Sequence, residues 1–257
     1  MAQIGGDSMT AAWLAAMRYL QAQGRAVFDL AVEIADPVPD RSDQAVVGAL
    51  GRRLAATGCQ SVETVANTIF PAALAATSRD RAHLYARYRA ILPRLRRLGG
   101  NRRGVYFARL IDYPLLTGEQ ANQLETLIGD LTAQLARRGG RGGPLRHAYE
   151  ALVFAPGRDR LPQGFPCLTA LSFHLDEERL RLIATYRNQY YVQKALGNFL
   201  GLSRLQRFVA EAAGLAQGPL TVRACHAQID PSFGKRAVAA LLADCDPAAH
   251  PRLALVA

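Results

Sequence analysis

The chain has 257 residues, half of them apolar, which suffices for the core of one globular domain over residues 1–257. No run approaches about 18 consecutive apolar residues and no basic segment precedes an apolar stretch at the N-terminus, so we predict a cytoplasmic protein without a membrane span or signal peptide. The net charge of +10 rests on arginine, with lysine only at 194 and 235, which indicates either a GC-rich genome or the binding of anions such as phosphate.

The first hundred residues predict three helices and one strand. Helical apolar spacing covers residues 8–23, where Gly24 ends the helix, and returns over 42–57 and 79–98. Residues 26–36 alternate between apolar and polar side chains and predict a strand.

The middle of the chain predicts a helix and a loop. The helix covers 118–138, with Thr117 as its cap and Gln120 in the capping-box position. The glycine- and arginine-rich segment 137–146 predicts an exposed loop, after which strand-like sequence resumes with YEALVFAP.

The C-terminal half predicts a long hairpin, since the apolar runs 167–175 and 179–186 are joined by the acidic turn DEE. A buried helix over 191–215, a strand over 218–229 and a last helix over 231–245 follow. These elements predict the α+β class, a mostly antiparallel or mixed sheet covered by helices. No glycine-rich loop follows a strand, which excludes the common nucleotide-binding architectures.

The four cysteines form no CxxC pair, and no histidine stands near them at ligand spacing. We therefore predict reduced thiols, no disulfide framework and no bound metal. The cysteines are Cys59, Cys167, Cys225 and Cys245.

Cys167 follows a proline directly at the start of the predicted hairpin. By itself such a cysteine is more often a small buried apolar residue than a nucleophile. Its neighbours along the chain change that balance: Arg187 ends the second strand, Asn198 lies in the next helix, and His226 lies in the last strand. Upstream, the segment GVYFARL contains Tyr106.

The ordered segments FPC, YRNQYY, LGNFLGL, GPL and CHA resemble the C-terminal half of the folate-dependent thymidylate synthase family and its nucleotide hydroxymethylase relatives. The resemblance covers roughly residues 100–235, while the first hundred residues diverge. It implies a thymidylate synthase-like fold and a transferase of methyl or hydroxymethyl groups to C5 of a pyrimidine nucleoside monophosphate. It also implies 5,10-methylenetetrahydrofolate as the carbon donor.

The resemblance assigns a role to each residue. Cys167 adds as a thiolate to C6 of the pyrimidine, which makes C5 nucleophilic. Arg187 stabilises that thiolate and binds the substrate phosphate, and Tyr106 relays a proton through water to C5. Asn198 pairs with a uracil-type base, and His226 meets the ribose 3′-hydroxyl. The residues alone leave an alternative open for each role. Arg187 is then a surface arginine at the end of a strand, Asn198 and His226 are core residues, and Tyr106 is a strand aromatic.

Further roles concern residues outside this set. Family members take phosphate-binding arginines from a partner subunit, which implies a homodimer with Arg146 in that role and Arg137 or Arg138 as alternatives. Glu63 is a candidate general base, or simply an acidic residue at the start of a helix.

The chain departs from the family at two points. Arg187 is followed by Asn188, Gln189 and Tyr190, whereas the family has Ser-x-Asp with a folate-binding aspartate. The one tryptophan, Trp13, is distant in sequence from the family's cofactor-cleft tryptophans. Without that aromatic cover, a 5-hydroxymethyl product is slightly favoured over a methyl one. The alternative is a nucleotide- or RNA-binding homologue without folate chemistry.

Overall fold

The computed structural model describes residues 1–39, 43–98, 105–137, 144–160 and 166–245. Its strands are β1 (Ala2–Gly6), β2 (Ala26–Ile34), β3 (Tyr113–Pro114), β4 (Gln120–Ala121), β5 (Tyr149–Leu152), β6 (Leu168–Asp176), β7 (Arg179–Tyr186), β8 (Gln189–Tyr190) and β9 (Ala216–Gln228). Its helices are α1 (Met9–Ala22), α2 (Asp43–Ala56), α3 (Val62–Ile69), α4 (Ala72–Ala76), α5 (Arg81–Arg97), α6 (Tyr106–Ile111), α7 (Gln123–Leu135), α8 (Leu196–Ala213) and α9 (Lys235–Asp244). A π-helical turn, Tyr191–Ala195, directly precedes α8.

Seven strands form the main sheet, in the order β1-β2-β9-β7-β6-β5, with β8 beside the end of β9. The pairs β1–β2 and β7–β9 are parallel, whereas β2–β9, β5–β6 and β6–β7 are antiparallel. The prediction of the α+β class with a mixed sheet and helices is therefore confirmed. The predicted hairpin is β6–β7, closed by a turn in which Glu177 has a positive φ.

The core lies between one face of the sheet and the helices. On β9, Leu220, Val222 and Ala224 are buried, whereas the alternate residues Arg223 and Cys225 are exposed. This alternation is what a strand buried on one side produces. The alternate residues of β6 and β7, which point to the other face of the sheet, are mostly partly exposed in the described part of the chain.

Two local predictions are wrong. The helix predicted from residue 118 begins at Gln123, because Asn122 caps it by accepting a hydrogen bond from the Glu125 N–H at 3.2 Å. Gln120 instead pairs with Pro114 in the short β3–β4 hairpin. The alternative to a catalytic role for Tyr106 was a strand aromatic. Tyr106 instead begins helix α6.

Helices α3 and α8 pack closely through two glycines one turn apart. A Cβ at Gly197 would lie 2.6 Å from the Val65 Cβ, and one at Gly201 would lie 2.7 Å from the Ala66 carbonyl oxygen. Any side chain larger than hydrogen would force the helices apart, at a cost of about 1–3 kcal/mol. The first turn of α8 is thereby held against α3. Among the described helices, none has both the length and the apolar character needed to cross a membrane.

Candidate active site

The strand register brings the predicted site residues Cys167 and His226 to one end of the central strands. Leu168, next to Cys167, pairs with Tyr186, and Tyr186 pairs with Ala224, two residues before His226. Neighbouring strands are about 4.8 Å apart, so the row from β6 across β7 to β9 spans about 10 Å. Cys167 and His226 lie at opposite ends of this row.

Cys167 lies immediately before β6 and is partly exposed. The Arg187 backbone N–H donates to the Cys167 carbonyl at 2.8 Å, and its Nε donates to the Pro166 carbonyl at 3.3 Å. These bonds hold the guanidinium group beside the segment that carries the thiol. The register shift between Leu168 and Ala170 lies at the same point, where sheets often aim a functional side chain.

Two tyrosines lie beside the thiol. Burial raises the pKa of Tyr106, as does the nearby Cys167, while backbone N–H groups of Leu168 and Cys167 and the charge of Arg187 lower it in part. Burial also raises the pKa of Tyr186, whose hydroxyl has no hydrogen-bond partner in the described structure. Both hydroxyls therefore keep their protons at neutral pH. Tyr186 was not predicted, because its position on the buried face of β7 indicated only a core aromatic.

A polar cluster forms the other end of the row. The Asn188 Oδ1 lies 2.8 Å from the His226 Nδ1 and accepts from the Gln228 Nε2 at 2.7 Å. Since Oδ1 is an acceptor, it favours the His226 tautomer with the proton on Nδ1, which leaves Nε2 to accept from a hydroxyl. The exposed ring of Phe28 lies 5.1 Å from the imidazole, centroid to centroid. Phe28 and Gln228 were also missed, since strand alternation alone does not indicate their register.

Asn198 lies in the first turn of α8 and is only 5% exposed. The neighbouring Gly197 fixes this turn against α3, so the amide belongs to a rigid part of the fold. Such a group is suited to pair with a ligand.

Lys194 was not predicted as a site residue, although lysine is rare in this chain. Its Nζ donates to the Gln60 Oε1 at 2.6 Å. Burial lowers the pKa of Lys194, while Asp230, Cys59 and Cys167 raise it.

Glu63 and the loop arginines make contacts elsewhere. The Glu63 carboxylate forms a two-point ion pair with Arg204 of α8 at 2.7 and 2.8 Å, and this pairing lowers the pKa of Glu63. A carboxylate held in this way is a poor general base, and its observed contacts join α3 to α8. Arg137 is exposed beyond α7, and Arg138 lies outside the described residues.

Arg146 is exposed, and its carbonyl accepts from the Leu175 N–H at 2.9 Å near the far end of β6. At about 3.3 Å per residue, the length of β6 places it roughly 25 Å from Cys167 of the same chain. Arg146 therefore cannot serve that site within one chain.

In the family that this chain resembles, an aspartate carboxylate three residues after the arginine binds the pterin. This chain has Tyr190 at that position. Asp230 raises the pKa of Lys194, and its oxygens accept the backbone N–H groups of Val192 and Gln193. These residues do not fit the family's way of holding a pterin ring.

No protein-family model matches the chain. Over 80 residues it is 40% identical to a protein of Methanopyrus kandleri named "Putative thymidylate synthase". These aligned residues are 31% of this chain and 38% of that protein. Over 135 residues it is 26% identical to a protein of Methanococcoides burtonii with the same name. This alignment covers 47% of this chain and 61% of that protein. Each alignment spans less than two thirds of the relative's own length. These similarities support a divergent thymidylate synthase-like relationship for this chain.

Proposed function

We propose that the protein transfers a one-carbon group to C5 of a uridine-type nucleoside monophosphate, through a covalent bond between Cys167 and C6 of the base. The grouping of the Cys167 thiol with Arg187 and Tyr106 at one end of β6 and β7 carries this proposal. The similarity to proteins named thymidylate synthase supports it.

The covalent addition requires only the Cys167 thiolate and the nucleotide. The thiolate sulfur of Cys167 forms a bond to C6, and the electrons of the C5–C6 double bond move onto the C4 carbonyl oxygen as an enolate. C5 of this enolate is nucleophilic and can take a proton or a one-carbon electrophile. Elimination of the thiolate then restores the ring and releases the hydrogen originally on C5.

The remaining residues bind and orient the nucleotide. In the proposal, Arg187 stabilises the thiolate and meets the phosphate, and the His226 Nε2 accepts from a ribose hydroxyl. Tyr106 stays protonated because burial raises its pKa, so it relays protons near C5 through water rather than acting as a base. The Asn198 amide can donate to O4 of uracil and accept from its N3–H.

The test is tritium release from 5-tritiated dUMP, UMP, dCMP and CMP, each with and without 5,10-methylenetetrahydrofolate, the donor that the resemblance implies. We expect release from a uridine nucleotide, because addition at C6 makes the C5 hydrogen exchangeable. Analysis of the product distinguishes a methyl from a hydroxymethyl group. If the folded protein releases label from none of the four, the transferase proposal is wrong.

The same samples test the alternative of an RNA-binding homologue, which the missing pterin carboxylate at Tyr190 favours. RNA binding through the many arginines would weaken steeply as salt increases, because bound counterions are released. It would also persist when Cys167 is replaced. Tighter binding of mononucleotides than of oligonucleotides would exclude it.

We also propose a homodimer in which each subunit supplies Arg146 to the partner's phosphate site. The distance of Arg146 from its own Cys167 and the partly exposed second face of the sheet support this arrangement. We expect Cys167→Ser and Arg146→Ala to be inactive separately. Refolded together at equal amounts they should regain about a quarter of the wild-type sites, since half of the dimers are mixed and each contains one intact site. No recovery, or a monomer in sedimentation, would contradict the shared site.

A further inference from the structure

The core face of the sheet continues past its buried side chains into a small exposed area at one end of β2 and β9. Ala224 is buried, but His226 and Gln228, which follow at two-residue steps on the same face of β9, are partly exposed. Phe28 pairs with His226 in the strand register and is 80% exposed. Asn188, from the segment between β7 and β8, contacts both polar side chains. We call Phe28, Asn188, His226 and Gln228 the β9 shelf.

The hydrogen bonds inside the β9 shelf orient two acceptors side by side. The Asn188 Oδ1 lies 2.8 Å from the His226 Nδ1 and accepts from the Gln228 Nε2 at 2.7 Å. With the proton of His226 on Nδ1, its Nε2 is an acceptor, and so is the Oε1 at the other corner of the Gln228 amide. The Gln228 Nε2 lies 3.2 Å from the His226 Nδ1, so the two side-chain ends are neighbours. One asparagine therefore holds both acceptors in place.

The β9 shelf suits a sugar better than a phosphate. Asn188 and Gln228 are uncharged, whereas phosphate is bound best by arginine, lysine or several N–H donors. Two neighbouring acceptors need two hydroxyl donors, and the hydroxyls on adjacent carbon atoms of a ring are close enough to supply them. The exposed ring of Phe28, 5.1 Å from the imidazole, centroid to centroid, offers an apolar surface to the C–H groups of the sugar. Of the two common nucleotide sugars, only ribose carries such a pair of hydroxyls.

We infer that Gln228 selects ribose over 2′-deoxyribose, because its Oε1 accepts from the 2′-hydroxyl while the His226 Nε2 accepts from the 3′-hydroxyl. The substrate is then a ribonucleoside monophosphate. This inference rests on the proposed function, which leaves the sugar open. A deoxyribonucleotide would bind with one of the two acceptors left to water. The discrimination is therefore that of a single hydrogen bond at a partly exposed site.

The test is isothermal titration calorimetry of the wild-type protein with UMP, dUMP and 2′-fluoro-2′-deoxyuridine monophosphate, without a carbon donor. UMP should bind about tenfold more tightly than dUMP. The fluoro analogue should bind as weakly as dUMP, because fluorine keeps a ribose-like ring pucker but cannot donate a hydrogen bond. The inference is wrong if UMP binds no more tightly than dUMP, or if the fluoro analogue binds as tightly as UMP.

Gln228→Leu should bring the ratio of the two dissociation constants close to one, mainly by weakening the binding of UMP. The matched control is Gln3→Leu, since Gln3 is exposed on β1, contacts Glu33 instead and should leave the ratio unchanged. Circular dichroism checks folding, and Gln228→Ala serves if the leucine variant does not fold. A folded Gln228 variant that keeps the wild-type ratio overturns the inference.

The same titrations separate this inference from the proposed function. If the folded wild type binds none of the three nucleotides, the proposed function and the role of Gln228 are both contradicted. If it binds UMP and dUMP equally well, only the role of Gln228 is contradicted.

Discussion

Replacement of Cys167 by serine is expected to lower tritium release from the uridine nucleotide by at least about a thousandfold. A serine hydroxyl stays protonated at neutral pH and lacks the nucleophilicity of sulfur, so no bond to C6 forms. The substitution changes one atom of a partly exposed residue, so the fold should be retained. A 5-fluorouridine nucleotide provides a second measurement, because fluorine replaces the C5 hydrogen that must leave, so the adduct stays attached once C5 has taken a one-carbon group.

For the wild type incubated with the one-carbon donor, intact mass after denaturation should increase by the combined mass of the nucleotide and the donor. The serine variant should show no increase. The control is Cys225→Ser, on the exposed side of β9, which should behave as the wild type in both assays. A serine variant that releases label at more than about a tenth of the wild-type rate would exclude Cys167 as the nucleophile.

Replacement of Asn198 by aspartate is expected to reverse the preference between uridine and cytidine nucleotides. The neutral amide can donate to O4 and accept from N3–H of uracil, whereas a carboxylate only accepts and so suits the 4-amino group of cytosine. Because Asn198 is buried and rigidly held, a mismatched base leaves polar groups unpaired. The ratio of kcat/KM for the two bases should therefore change by about a hundredfold or more.

The measurement is tritium release from dUMP and dCMP at several concentrations of each. The new carboxylate is buried, so the variant should unfold at a lower temperature than the wild type in the absence of ligand. Asn122→Asp is the control, because aspartate caps α7 as well as asparagine does and the base preference should not change. An Asn198→Asp enzyme with the wild-type preference would show that this amide does not read the base.

The sequence predicted those features that depend on short-range patterns. Apolar alternation indicated the β6–β7 hairpin, and the helical spacing that follows indicated α8. The start of α7 was misjudged, since Thr117 and Gln120 resemble a capping box although Gln120 pairs with the strand before it. Local capping signals cannot tell whether a neighbouring segment will compete for the same backbone groups.

The parts of the site that escaped prediction depend on contacts between distant segments. Lys194 donates to Gln60, and the Val192 N–H to Asp230, only once the loop before α3 and the segment after β9 approach the π-helical turn. Glu63 was a candidate base because it begins α3, but its partner Arg204 is supplied by a helix far along the chain. Charged side chains can pair with many alternatives, so tertiary packing decides which pair forms.

The position of β9 in the sheet has a consequence for how the protein is made. β2, near the N-terminus, pairs with β9, which also pairs with β7 and carries His226. β1, on one side of β2, precedes it in the chain, but during synthesis β2 must wait for nearly the whole polypeptide to leave the ribosome before it finds β9 on its other side. Such high contact order slows folding and leaves strand edges unprotected meanwhile. A nascent chain of this kind gains from chaperones that shield β2 until translation ends.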